Sequence, residues 1–145
     1  MAAPHDSLQA LSPLDGRYRE ICNDLRAYFS EASLIRYRII MEVEYFLALH
    51  ALGLKELDGL PGGTDLRLRA LCKHFSNADA ARVKEIESVT RHDVKAVEYF
   101  LKERFDEMGL GSFREFVHFG LTSQDINNTA IPLSFKAAMD NVMIP

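Results

Sequence analysis

The segment from Ser30 to Ala51 constrains this chain more than any other. Leu34, Ile35, Tyr37, Ile39, Ile40, Val43, Phe46, Leu47 and Leu49 recur along it at helical spacing. Ser30 can cap the start of that helix, and Gly53 can close it as the left-handed residue past its end. An apolar surface this wide cannot be hidden by one neighbour, so the helix is expected to pack on more than one side. A chain built around such a rod needs other helices to cover it.

The remaining segments supply them. Thr64 is expected to cap a helix through Phe75, with Leu66, Leu68, Leu71 and Cys72 facing inward. Ser76-Asn77-Ala78-Asp79 starts another, with Ala80, Val83 and Ile86 inside and Arg82, Lys84, Glu85 and Glu87 solvated. Asp93 reads as the N-cap of a helix whose Val94, Val97, Phe100 and Leu101 form an apolar stripe. Ser112-Phe113-Arg114-Glu115 has the pattern of a capping box ahead of a short helix ending at Phe119. Thr122 or Ser123 caps the last helix, which runs toward Met143 and must bend at, or begin its regular part near, Pro132. Residues 1–13 read as a polar, mobile arm, and no segment alternates like a strand. The fold class is all-α.

At 145 residues the chain is the size of one ordinary domain, and 48% hydrophobic against 26% charged residues is enough for a core. A net charge of -4 argues against nucleic acid or an anionic membrane surface as partner. No apolar run approaches the ~20 residues of a membrane span. Cys22 and Cys72 show no metal or redox spacing, and the five histidines show no HExxH pattern, so no metal is assigned. The first residues lack the basic and apolar regions of a signal peptide, and a cytoplasmic location follows.

Three loops carry chemistry. Ser12-Pro13-Leu14-Asp15-Gly16-Arg17-Tyr18 is a tight bend presenting a guanidinium and a phenol. Thr90-Arg91-His92-Asp93-Val94-Lys95 places a cation and an imidazole at a helix start, where the dipole and unpaired N–H groups favour anions. Gly120-Leu121-Thr122-Ser123-Gln124-Asp125 offers two hydroxyls at another helix start, a ready carboxylate or phosphate seat. Each has a plainer reading as a solvated turn or an ordinary cap. His118, among Phe116, Val117 and Phe119, reads as a packed core histidine. Without a nucleophile triad, a Gly-rich phosphate loop or paired carboxylates, residue chemistry reaches a helical domain that binds a polyanionic small molecule.

In their order and spacing, these three stretches resemble the N-terminal part of the adenylosuccinate lyase family, in its bacterial-type branch, within the fumarase/aspartase superfamily. The third stretch as matched runs from His118-Phe119 through Asn127-Asn128. The resemblance implies an N-terminal helical domain over residues 1–111 and, over 112–145, the truncated start of a long-helix central bundle. It implies β-elimination of fumarate from adenylosuccinate, and from the succinyl-carboxamide ribotide of purine synthesis, by a homotetramer that needs no cofactor. Arg17 and Tyr18 would bind the nucleotide portion. Arg91, His92 and Asp93 would line the pocket, with His92 auxiliary or positioning near the phosphate or reacting centre. Thr122 and Ser123 would hold a succinyl carboxylate, and Lys95 is a weaker anion contact. The family's general-acid His, in a Gly-His-Thr-type segment, and its loop Ser base have no counterpart in these 145 residues, so the piece alone is expected to be inactive. Ile131, Leu133, Phe135, Ala138 and Met143 would then form an exposed apolar face prone to self-association. Another superfamily lyase acting on argininosuccinate or aspartate, or a non-catalytic helical interaction module, are the alternatives.

Overall fold

Capping chemistry sets most helix boundaries in the computed structural model, which describes residues 7–144. The six α-helices among those residues are α1 (Arg26–Phe29), α2 (Glu31–Ala51), α3 (Thr64–Lys73), α4 (Asn77–Thr90), α5 (Asp93–Glu107) and α6 (Ser123–Ala138). The described residues contain no strand. Part of the expected arm, residues 1–6, lies outside them. The bend from Ser12 to Tyr18 is closed by backbone bonds from Gly16 N–H to Ser12 O (2.9 Å) and from Tyr18 N–H to Pro13 O (3.0 Å). No helix among the described residues is long and apolar enough to cross a membrane.

The central rod is α2. Ser30 Oγ accepts from Ser33 N–H at 3.2 Å to start it, and Gly53, at φ +78°, turns the chain away after its end. It packs against α3, α4, α5 and α6, as its wide apolar surface requires. Ile39, Phe46, Leu57, Leu68, Phe100 and Leu110 are 0% exposed in the core they share. Phe46 meets Phe105 edge-on, with ring centroids 4.9 Å apart.

Several local expectations need correction. Gly63, not Thr64, caps α3 at φ +79°; Thr64 is the first helical residue, and its hydroxyl donates to Pro61 O at 2.7 Å. Helix α3 ends at Lys73, before Phe75. Leu66 is 70% exposed because the buried stripe of α3 runs Thr64, Leu68, Cys72, and Leu66 is two residues out of phase with it. The capping box at Ser112 does not form: Gly111–Phe116 is a 3-10 turn, and the Glu115 carboxylate instead accepts from Lys102 Nζ at 2.8 Å. The charged face of α4 is not merely solvated. Arg82 reaches Glu103 of α5 (2.6 Å) and Lys84 reaches Glu31 of α2 (3.1 Å), exposed pairs that contribute little to stability.

The last helix continues through Pro132 and ends in a wider π turn, Met139–Met143. Ile131, Phe135, Met139 and Met143 are exposed, whereas Ala138 is buried, so the apolar face expected there is narrower than the sequence suggested. Phe135 stacks on Phe29 of α1, centroids 4.9 Å apart.

Candidate functional site at two helix starts

Helix α5 is capped one residue earlier than Asp93. His92 is extended (φ −150°, ψ 119°), and its Nδ1 accepts from Lys95 N–H at 3.2 Å. A nitrogen that accepts carries a lone pair, so this bond leaves the ring N–H that can donate outward on Nε2. That N–H points toward Ser123 Oγ, 3.4 Å away. Two loops separated by 31 residues are thereby joined side chain to side chain.

Ser123 sits at the first position of α6. Thr122 is the N-cap; both its N–H (2.7 Å) and its hydroxyl (2.8 Å) donate to Asp125 Oδ2. These bonds hold Asp125 below the usual carboxylate range, the Thr122 N–H contributing most. The two hydroxyls read as equivalent in the sequence are therefore different. Thr122 is committed to its own turn, while Ser123 can accept from His92 and still donate its proton to an anion. The first-turn N–H groups of Ser123 and Gln124 face the same end of the helix.

Asp93 serves the site from beneath. Its Oδ1 accepts from Val94 N–H at 2.8 Å, and its Oδ2 lies 2.6 Å from an Arg38 amino nitrogen. Partial burial pushes the carboxyl up, but the Val94 N–H and the Arg38 guanidinium outweigh it and keep Asp93 below its ordinary value. Arg38 is itself only 5% exposed, and its Nε donates to Asn127 Oδ1 of α6 at 2.9 Å. Neither Arg38 nor Asn127 was picked out from the sequence as a site residue. The signal was present: Ile35, Arg38, Ile39, Glu42, Val43 and Phe46 follow one helix stripe, with two charges inside it.

The second of those charges, Glu42, is 1% exposed, and its Oε1 lies 2.5 Å from His118 Nδ1, while among the described residues no hydrogen bond reaches Oε2. The packed-histidine reading of His118 holds, with a buried carboxylate as its partner. Burial pushes Glu42 up, and the hydrogen bond and charge of His118 only partly oppose it. The folded chain thus binds that proton more tightly than the unfolded chain. Stability attributable to Glu42 falls as pH rises from about 4.5 through the raised value. In urea melts, Glu42→Gln is expected to gain on the parent across that window, because it keeps a partner for His118 and cannot ionise. Glu42→Ala should lose about 1–3 kcal/mol by stranding His118. A Gln variant that loses ground as pH rises would show instead that the ionised form is the stabilising one.

The other residues singled out are placed unevenly. Arg91 takes the left-handed conformation (φ +56°), a strained choice for a side chain of its size, and among the described residues its guanidinium has no hydrogen-bond or ion-pair partner. Lys95 is committed, with Nζ 2.7 Å from Glu98 Oε2 and 5.2 Å from the Tyr99 ring centre. Arg17 stacks on its neighbour Tyr18 at 4.7 Å, and among the described residues no hydrogen bond joins this turn to His92 or Ser123. A groove of about 720 Å³ runs between α4 and α5 past Arg82, Tyr99, Lys102 and Arg114 and includes none of Arg17, His92 and Ser123. The candidate residues His92 and Ser123 meet at the joined helix starts, outside that groove. No cluster of three potential metal ligands occurs among the described residues.

Comparison with known proteins adds an independent line. A family model described as Lyase matches residues 16–145. The adenylosuccinate lyase of Dictyostelium discoideum is 48% identical over 144 residues, covering 97% of this chain and 31% of that protein. The adenylosuccinate lyase of Escherichia coli strain K12 is 46% identical over 142 residues, and that of Vibrio cholerae 45% identical over 141, each across 96% of this chain. The chain spans about 31% of the length of these curated relatives.

Proposed function

Since this chain belongs to the lyase family of the fumarase/aspartase superfamily, we propose that it forms one substrate-binding face of an adenylosuccinate lyase. The reaction is β-elimination of fumarate from adenylosuccinate to leave AMP, with the same cleavage of the succinyl-carboxamide ribotide in purine synthesis. One observation carries the reading. The His92–Ser123 contact unites two of the three sequence stretches that resemble this family, and the similarity to the Dictyostelium discoideum relative spans 97% of the chain.

Elimination places negative charge on the carboxylate beside the deprotonated carbon, and fixed donors aimed at that charge lower the barrier. Ser123, with the first-turn N–H groups of α6, holds that succinyl carboxylate, and Thr122 fixes the turn that presents them. His92, fixed at the start of α5 by its bond from Lys95 N–H, lies beside Ser123 and borders the reacting centre. Arg91, unpaired within the described residues, suits the nucleotide phosphate. Arg17 and Tyr18 receive the nucleotide portion; Asp93 shapes the pocket through Arg38, and Lys95 is the weakest contact because Glu98 already holds it. By resemblance, the general-acid His and the Ser base belong to segments not found in residues 1–145. Residues 1–111 act in this reading as the first domain and 112–145 as the start of a central bundle. The assembly is a cytoplasmic homotetramer in which the exposed residues of α6, Ile131 and Phe135 among them, meet other helices.

Expression from the native reading frame, with no stop imposed at Pro145, tests this by ultraviolet absorbance. Cleavage of adenylosuccinate but not argininosuccinate or aspartate is expected, with no turnover by the 145-residue chain on its own. Cleavage of argininosuccinate instead would reassign the substrate. A folded protein that cleaves none of them would favour a non-catalytic interaction module.

A further inference from the structure

We infer that Arg38 is a positioning residue for the site: one buried guanidinium fixes the distance and orientation between His92 and Ser123. The inference rests on the adenylosuccinate reading for its kinetic consequence, but not for its geometry. Arg38 lies on the buried stripe of α2, below the point where α5 and α6 begin. Its amino nitrogen holds Asp93 Oδ2 at 2.6 Å, the residue next to His92. Its Nε holds Asn127 Oδ1 at 2.9 Å, one helical turn beyond Ser123 on the same face of α6. Asp93 in turn fastens the first turn of α5 through Val94 N–H, and α6 starts from its own Thr122–Asp125 cap. The only further link between the two starts among the described hydrogen bonds is the long His92–Ser123 contact, at 3.4 Å. That contact is too weak to set the geometry it reports, whereas Arg38 is 5% exposed and charge-assisted.

The planar fork is what the position needs. A lysine could keep the charge and reach Asp93, but a single ammonium on a flexible stem does not match two acceptors set apart on different helices. The position also explains why Arg38 occupies a stripe that, apart from Glu42, is filled by Ile35, Ile39, Val43 and Phe46. Buried charges without a partner are costly, and here each partner belongs to a different loop of the site.

The test uses the enzyme expressed from its native frame, with Arg38→Lys and Asn127→Leu. Each is expected to lower kcat about tenfold or more while KM moves less than about threefold, since misplacement weakens transition-state contacts more than binding. In a Ser123→Ala background the same changes should cost less than about threefold, because the group being positioned is gone. Hydrogen–deuterium exchange should quicken together in segments 90–96 and 120–128 of Arg38→Lys while the Phe46–Phe105 core stays protected. The inference is overturned by a folded Arg38→Lys enzyme with the parent kcat, by an equal fold-loss in the Ser123→Ala background, or by exchange that changes in one segment alone. A parent protein that cleaves no adenylosuccinate would remove the substrate reading only, and the exchange result would then decide for or against Arg38.

Discussion

Ser123→Ala, in the enzyme expressed from its native frame, is expected to lower kcat by about 100- to 1000-fold, the usual consequence of removing one fixed donor from a developing negative charge. The magnitude follows from what the hydroxyl touches. It can accept, at long range, from His92 Nε2, which leaves its proton free for the proposed substrate carboxylate, and it stands at the positive end of α6. Thr122→Ala should behave differently. The Thr122 hydroxyl already donates to Asp125 Oδ2, so its loss loosens a cap worth about 1 kcal/mol and should mainly shift stability. His92 combines both roles, and two substitutions separate them. His92→Asn retains an acceptor suited to an N-cap, whereas His92→Ala does not. Both should lose activity, and only His92→Ala should also lose about 1 kcal/mol in a urea melt. Equal stability of the two variants would mean that the Lys95 N–H bond to His92 does not hold the start of α5.

The largest stability effect is expected in the core below the site. Phe46→Ala should cost about 3–5 kcal/mol, because Phe46 is fully buried and its cavity would be lined by Phe105 and the α5 face, which cannot collapse freely. Against a typical total of about 5–15 kcal/mol, that removes a large fraction of the stability. Leu66→Ala is the control: another large apolar residue, but 70% exposed, it should change stability by less than about 0.5 kcal/mol. Urea denaturation of the two variants side by side reads the difference. A Phe46 variant that melts with the parent would place the core elsewhere.

The contrast between Phe46 and Leu66 also shows what was legible. Periodicity over a long segment placed α2 and its caps within a residue, because Ser30, Gly53 and nine apolar positions all point to one answer. In the short α3, one leucine out of phase was enough to misplace a face. Capping was readable where the box is local, as at Ser76 and Asp79, and failed where a distant partner competed, as Lys102 does for Glu115. The same distinction governs the site. Arg17, His92 and Ser123 stand out in the sequence as residue types at helix starts and turns. Their underpinning does not, because the Arg38–Asp93 and Arg38–Asn127 contacts join positions 55 and 89 residues apart. Only the oddity of Arg38 and Glu42 in a buried stripe announced that some polar partner must exist.

That underpinning matters for how catalysis divides along the chain. An elimination needs a proton taken, a proton given and a charge held still between those events. The residues here are proposed to hold and orient: a committed threonine, an available serine, a capping imidazole and a buried arginine that bonds both helix starts. We propose that the two joined helix starts seat the succinyl carboxylate, and a crystal structure of the enzyme with AMP and fumarate would show it. A fumarate carboxylate oxygen is expected about 2.7–3.2 Å from Ser123 Oγ or a first-turn N–H of α6, with the AMP phosphate nearer Arg91. Fumarate bound elsewhere, with Ser123 still facing only His92, would contradict it.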